Sequence, residues 1–592
     1  MNLNKMLFQV ILALLAVFFM LLSSYNLASA AFAAVYFVLI FQVLYARESR
    51  AFGLAAIAAV TSLILALRFK YLTWGDPWYE YAMIVRIIEH GSLAREFYPL
   101  QQPTLHLGIA SLAMITQIDA MLLQKFVTPL ISVLSVVALY KLVRELFKDE
   151  ELAILSGLLL LAGTPYLHWT AQAVRESIGI PMLLLAVYFS FRAVRTLKPQ
   201  YMLASVLLIA GLVLTHNFSA AVFLLSWLSF SCSYVYFSGD TRASLPSLLL
   251  FLISIVLALS WWSASGFYHD AFESALKLVF PFMPVPAFIG TVVLLYALPV
   301  WRPYVIEQLR LALQKLLEKQ AVYASILFVS ILFALIAVNL VLGKFYLVLS
   351  YPPSMMFNGF VMIGLSLAGL NFFLDLRRLP VLVWLAALAA LLALSTLRVI
   401  PFGDPLRFME FLYIPLAVVA AAGLKRILSK ISSRGFASYM VAAFVTASLI
   451  TSFPAIVFFG TPFEKGSMFY DDRNWVIEHP SSEINAIEWL DERRIVGNLY
   501  TDNYVHYAAQ WINYDNTVQI DNRARGAVAN PDGLPKHENY ILITERMKNY
   551  AEFSEGMMHQ RHPLQEWEIE RLHAGASQIY DGGEAKIFYK GW

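Results

Sequence analysis

Long apolar runs separated by short polar connections recur from the N-terminus to about residue 457, and they limit what this chain can fold into. Runs long enough to cross a bilayer, roughly 17–25 residues, fall near 5–23, 27–45, 51–67, 126–146, 152–170, 176–194, 201–215, 217–237, 246–265, 284–300, 322–342, 355–374, 380–397, 408–424 and 436–457. In hydrocarbon every backbone polar group needs a partner within the chain, so such runs must be helices. The pattern predicts a mainly α, polytopic membrane protein with about fifteen transmembrane helices. Composition agrees. Of 592 residues 59% are hydrophobic and 14% charged, more apolar surface than a soluble domain can hide.

A net charge of +3 and the lack of a basic run interleaved with aromatics argue against a nucleic-acid partner. The single cysteine, Cys232, rules out an intrachain disulfide and a Cys-based zinc site. Lys5 followed by an apolar run, with no small-residue cleavage site before the next span, predicts a retained first helix. With the N-terminus cytoplasmic, twenty of the thirty Lys and Arg before residue 460 fall in inner connections, among them Lys141, Arg144, Lys148, Arg192 and Arg195. The positive-inside rule supports that orientation, and an odd number of spans puts the C-terminus outside.

Two departures from the pattern define the domain plan. Residues 68–125 form a first outer loop, in which the short run Leu105–Ile118 follows Pro99 and Pro103 and reads as an interfacial helix. Trp301–Gln320, with Arg310, Lys315 and Lys319, reads as an amphipathic helix on the inner face. Residues 1–460 are the transmembrane domain. From about Thr461 charge becomes frequent, and 461–592 reads as a small extracytoplasmic α/β domain. Its predicted strands are Gly497–Tyr500, Thr517–Asp521, Tyr540–Thr544, Gln578–Tyr580 and Ala585–Tyr589. Glu483–Arg493 has helical spacing, and Asp581-Gly-Gly signals a hairpin turn.

Ionisable groups at membrane depth are costly and face cavities or partners. Four polar places stand at outer ends of spans. Thr73-Trp-Gly-Asp-Pro-Trp-Tyr-Glu-Tyr81 carries Asp76 and Glu80; Asp76 reads either as a helix N-cap or as a catalytic carboxylate held anionic by the helix dipole. Thr164–Ser177 carries Arg175 and Glu176, which read as a local ion pair or as site residues. Leu214-Thr-His-Asn217 carries His216, otherwise an interfacial histidine. Arg398–Glu410 carries Arg407 near Asp404 and Glu410; a solvated anchoring arginine is the plainer alternative.

Moving a sugar from a lipid phosphate to a hydroxyl needs one base for the acceptor proton. It also needs cations for the charge growing on the departing phosphate. Phosphate leaves readily, so the second carboxylic acid of glycoside hydrolysis is not required. A carboxylate, Asp76, opposed by Arg407, with Arg175 and His216 as further donors to phosphate, fits that reaction, since the planar guanidinium can donate two hydrogen bonds to phosphate oxygens. Glu80 and Glu176 would support the acceptor or a metal, and Asp76 with Glu176 could hold Mg²⁺ or Mn²⁺.

At these residues the chain resembles the polytopic GT-C glycosyltransferases, which use polyprenyl-phosphate sugar donors. They include protein O-mannosyltransferases, the lipid A aminoarabinose transferase and the catalytic subunit of oligosaccharyltransferase. Asp76-Pro-Trp-Tyr-Glu-Tyr and Ile87-Ile-Glu-His-Gly91 look like the first-loop motif of the oligosaccharyltransferase branch, and Tyr98–His106 looks like its juxtamembrane helix. Glu176 after Arg175 stands in place of the family's second acidic motif, and Arg407 in Pro-Leu-Arg-Phe is similar to the arginine set against the donor phosphate. The resemblance implies an inverting transferase taking a hexose or pentose from a dolichyl-type phosphate to an extracytoplasmic glycan, lipid or protein, with Asp76 and Arg407 meeting in one pocket.

The Trp-Trp-Asp-Tyr-Gly motif of oligosaccharyltransferases is absent; the nearest run is Tyr500-Thr-Asp-Asn-Tyr504. Transfer of one sugar is therefore the first expectation. An oligosaccharyltransferase-like enzyme, or a transporter of lipid-linked sugars, is the alternative; no internal repeat of the transporter kind occurs.

Overall fold

The computed structural model describes residues 9–16, 26–45, 49–68, 71–72, 75–92, 102–265, 285–301, 353–373, 375–396, 405–450, 481–501, 538–544, 564–590 and shorter pieces between them. The span expected at 322–342, residues 398–404 of the fourth polar stretch and most of the helix expected at 301–320 lie outside them. Two compact units form, one within residues 1–68, 100–104 and 127–473, the other within 69–99, 105–126 and 474–592. Each is described by itself.

In chain order the helices are α1 (Asn26–Tyr45), α2 (Arg50–Ser62), α3 (Gly75–His90), α4 (Thr104–Thr116), α5 (Ala120–Ile131), α6 (Val133–Phe147), α7 (Glu150–Ala162), α8 (Thr164–Thr170), α9 (Glu176–Thr196) and α10 (Pro199–Thr215). They continue as α11 (Asn217–Ser238), α12 (Ser244–Ala264), α13 (Val285–Trp301), α14 (Pro353–Phe373), α15 (Leu379–Thr396), α16 (Pro405–Leu428) and α17 (Arg434–Ile450), with α18 (Ser481–Glu492) and α19 (Glu566–Gly575) in the C-terminal region. This is a multi-pass helical protein. Among the described residues five helices are long and apolar enough to cross a membrane, and eight apolar helices are shorter. Among the described residues the expected total of about fifteen spans is not confirmed. Part of the reason is local: the run 152–170 breaks at Gly163, which is extended (φ −75°, ψ 105°), into α7 and α8.

In the first unit α7 is buried on every side from Leu152 to Ala162, as expected of a helix without a polar face. Its N-terminus is capped by Asp149, which accepts from the Leu152 backbone N–H at 3.0 Å and is met by the Lys425 ammonium at the end of α16. Backbone approach sets the rest of the packing. A Cβ at Gly423 or Gly369 would collide with the backbone of the facing helix, so α14 and α16 cross there in direct contact.

In the second unit α4 is only 13 residues long, too short to span. Leu105, His106, Ile109, Ala110 and Ala113 are buried, while Leu107, Leu112, Met114 and Ile115 are exposed, the two-sided pattern of an interfacial helix. The C-terminal region holds a mixed five-stranded sheet of order β2-β1-β3-β7-β6: β1 Gly497–Tyr500, β2 Val518–Asp521, β3 Asn539–Thr544, β6 Ser577–Asp581 and β7 Ala585–Lys590. β2-β1-β3 are parallel, and β3-β7-β6 antiparallel. The β6-β7 turn is the predicted Asp-Gly-Gly, with Gly583 at φ 79° and its N–H donated to Asp581 Oδ1 at 2.9 Å. A hairpin of β4 (Glu552–Glu555) and β5 (Met558–Arg561) was not foreseen.

Candidate active site

Three helix ends meet at one end of the first unit. α9 begins at Glu176, α10 stops at Thr215, and α16 carries Arg407 in its first turn. His216 is the extended corner residue (φ −155°, ψ 106°) that ends α10 and precedes α11, which turns its ring toward α9. Gly179 permits this: a Cβ there would lie 2.9 Å from His216 Cβ and 2.8 Å from Ser219 Oγ. A side chain at that position would push the corner away from Glu176.

The result is one shared carboxylate oxygen. Glu176 Oε1 lies 3.2 Å from His216 Nε2 and 3.2 Å from Arg407 Nη1. In the neutral tautomer that satisfies both ring contacts, Nε2–H donates to Glu176 while Nδ1 accepts from the Ser219 hydroxyl at 2.7 Å. The Glu176 side chain is 8% exposed, but that of Arg407 is 35% exposed. Glu176 thus grips the guanidinium at Nη1 from the buried side, by a charge-assisted contact. Trp169 adds a second hold, its ring 5.1 Å from the Arg407 guanidinium carbon.

The turn that delivers Trp169 and Glu176 is itself tied down. The Ser177 hydroxyl donates to the Trp169 carbonyl at 2.9 Å and lies against that of Gln172, and the Gln172 side chain donates to the His168 carbonyl at 3.1 Å. Arg175 is half-buried just before α9. One turn beyond Arg407, Glu410 is fully buried, and neither of its carboxylate oxygens has a hydrogen-bond partner among the described residues.

The second unit holds Asp76 and Glu80 on α3, with opposite fates. Asp76 is exposed in the first turn, inside the helix rather than at its N-cap, where the helix dipole favours the anion. Glu80 is buried and bonded to His106 Nε2 of α4 at 2.5 Å. Trp78, donating to the Leu72 carbonyl at 3.1 Å, and Gln124, donating to the Pro77 carbonyl at 2.9 Å, fix the start of the helix under Asp76. Burial pushes the Tyr81 phenol up to about 12, and the nearby carboxylates of Asp119, Glu488 and Glu89 add to this. Glu488 lies on α18, so α3 and the C-terminal region belong to the same unit.

Of the predicted residues, then, Glu176, His216 and Arg407 come together, with Arg175 adjoining them in the chain. Asp76 and Glu80 share a helix of the other unit. Trp169 and Ser219 were missed. Ser219 sits one turn after His216, a readable spacing, whereas nothing in the sequence pairs Trp169 with Arg407. Among the described residues no group of three or more His, Cys, Asp or Glu could hold a metal ion. Glu176 alone is a poor metal ligand, because a guanidinium already faces its Oε1.

Comparison with known proteins adds the following. A sequence model of the dolichyl-phosphate-mannose-protein mannosyltransferase family matches residues 107–265. No curated protein matches the chain. Among solved structures, the apo oligosaccharyltransferase of Archaeoglobus fulgidus aligns at a TM-score of 0.50 and 14% identity, over 88% of this chain and 75% of that one. The same archaeal protein in complex with an inhibitory peptide and a dolichol-phosphate aligns at 0.49 and 15%, over 87% and 74%. ArnT of Cupriavidus metallidurans in the apo state aligns at 0.48 and 10%, over 90% and 97%.

Proposed function

We propose that this chain, a GT-C superfamily membrane protein, is an inverting glycosyltransferase that moves one sugar from a polyprenyl (dolichyl) phosphate to an acceptor outside the cytoplasm. The observation that carries this reading is the setting of Arg407, held on a buried carboxylate and an indole with about a third of its side chain exposed. Such a fork suits the oxygens of a phosphate that gains charge as it leaves. The match of residues 107–265 to the dolichyl-phosphate-mannose-protein mannosyltransferase family supports the choice of donor class.

In the proposed step an acceptor oxygen attacks the anomeric carbon as the bond from that carbon to the phosphate oxygen breaks. The configuration inverts. The acceptor proton passes to the Asp76 carboxylate, and the electron pair of the broken bond stays on the phosphate, where Arg407 stabilises it, with Arg175 and His216 as further contacts. Glu176 keeps Arg407 in place. Asp76 lies in the other unit, so its meeting with Arg407 is part of the proposal. Mg²⁺ or Mn²⁺, if bound at Asp76, would supply Lewis acidity; no step depends on it. The donor sugar is a hexose or a pentose, and the acceptor a glycan, lipid or protein. The inner-side bias of Lys and Arg supports a cytoplasmic N-terminus and an extracytoplasmic C-terminal domain.

The test is transfer from a dolichyl-phosphate hexose in proteoliposomes. Asp76→Asn should lose about 10²–10⁴-fold in rate, the range of a general base. Full activity in Asp76→Ala would end that assignment. Labelling of an Asn-x-Thr peptide would favour the oligosaccharyltransferase-like alternative, and a relocated lipid with no new glycosidic bond would favour a transporter.

A further inference from the structure

At the far end of α9 from Glu176, the first unit has a cleft of about 550 Å³. Arg192, which lines it, follows Glu176 by four to five turns of α9, so the helix separates cleft and site by roughly 24 Å, most of the thickness of a bilayer's hydrocarbon core. The cleft therefore opens at the membrane face opposite the site. Its walls are the end of α6, the tight corner into α7 and the last turns of α9. The corner is sharp because Lys148 closes α6 in the left-handed region (φ 57°) and Asp149 starts α7 directly.

Charge in the cleft is unbalanced in a specific way. Arg192 and Arg195 of α9 both reach Glu145 of α6, at 3.4 and 3.7 Å, so that carboxylate is already matched. Arg192 also donates to the Tyr188 hydroxyl at 3.3 Å and stacks over Tyr201 at 4.2 Å, which makes this wall rigid. Lys141, Arg144 and Lys148 stand on one face of α6, three and four residues apart, and line the opening. Among the described residues none of them has a carboxylate within ion-pair distance. The lining as a whole holds four cations, Lys141, Arg144, Lys148 and Arg192, against two carboxylates, Glu145 and Glu150, an excess of positive charge that suits an anion.

We propose that this cleft binds the phosphate headgroup of an anionic phospholipid on the membrane face opposite the site. Lys141, Arg144 and Lys148 contact the phosphate, and the Arg192–Glu145–Arg195 wall holds the pocket open. Phosphate oxygens accept charge-assisted hydrogen bonds from such groups, and basic pockets between membrane helices select anionic headgroups in this way.

The experiment uses the full chain in detergent micelles doped with phosphatidylglycerol or phosphatidylcholine, with the unfolding midpoint as readout. A ligand that binds only the folded chain raises the midpoint with concentration. Phosphatidylglycerol is expected to stabilise saturably and phosphatidylcholine not at all. The variant Lys141→Gln/Arg144→Gln/Lys148→Gln should fold normally in phosphatidylcholine, its changes being at exposed positions, and should need at least about tenfold more phosphatidylglycerol for the same shift. A control, Arg377→Gln/Arg426→Gln/Lys430→Gln, removes three cations outside the cleft and should respond as wild type. Equal loss in the control, or no loss in the cleft variant, overturns the proposal. Equal protection by inorganic phosphate would also overturn it, assigning the cleft to a soluble phosphate compound.

Discussion

Glu176 and Arg407 form the joint of the candidate site: Oε1 lies 3.2 Å from Nη1, the carboxylate buried and the guanidinium a third exposed. The buried partner positions, and the exposed one keeps about a third of its side chain on the open side. Because His216 shares the same oxygen, three helix ends register on a single atom. Small changes there should be felt in both stability and transfer.

Arg407→Ala is expected to lower transfer about 10²–10³-fold, the effect of removing one donor to a developing oxyanion. Arg407→Lys keeps the charge but loses the planar fork and the stacking on Trp169, so it should recover only part of the rate. Initial rates at saturating acceptor check both. A lysine variant equal to wild type would show that point charge alone suffices.

Gly179→Ala should be destabilising by about 1–3 kcal/mol, the usual effect of overpacking, because its Cβ meets His216 and Ser219 below 3.0 Å. Transfer should fall with it, as His216 is displaced from Glu176. Gly108→Ala on α4 is the matched control. Its Cβ would meet nothing within 4 Å, so the better helix propensity of alanine should leave stability unchanged or raised by up to about 1 kcal/mol. Denaturation of the two variants side by side reads the difference.

Glu410→Leu is expected to stabilise the protein by about 1–3 kcal/mol, since it removes a buried carboxyl whose oxygens lack hydrogen-bond partners among the described residues. A raised unfolding midpoint checks this. A lowered one would mean that the carboxyl has a partner outside those residues.

His106→Ala should cost about 1.5–3 kcal/mol, the range for a hydrogen bond to a charged group, because it removes the bond between two buried side chains, His106 and Glu80. Glu80→Gln, which can still bond the ring, should cost less. Proteolysis of the first outer loop, which rises as α4 comes away from α3, measures both effects.

How much of this was legible beforehand differs by element. The β6-β7 hairpin was readable because Asp581-Gly-Gly dictates its own turn, with Gly583 at positive φ. The apolar face of α18 was readable too: Ile484, Ile487 and Leu490 are buried as their spacing predicts. α4 is a short helix buried on one side, as its length and prolines imply. The break at Gly163 was overlooked, although Gly163-Thr-Pro165, with the proline in the first turn of α8, is a local signal for it. Glu80 looked equivalent to Asp76 along the chain, yet one is buried on His106 and the other exposed.

What sequence alone determined is everything that depends on neighbours within a turn or a span: membrane class, helical content, most strands of the C-terminal sheet, and the polar residues at helix ends. Solvent and hydrogen-bond geometry act locally, so a local pattern reveals them. Tertiary structure decided which of those polar residues share an atom. Glu176, His216 and Arg407 converge because a missing Cβ at Gly179 lets two helices approach, and such an approach depends on packing between distant segments, which leaves no periodicity in the chain.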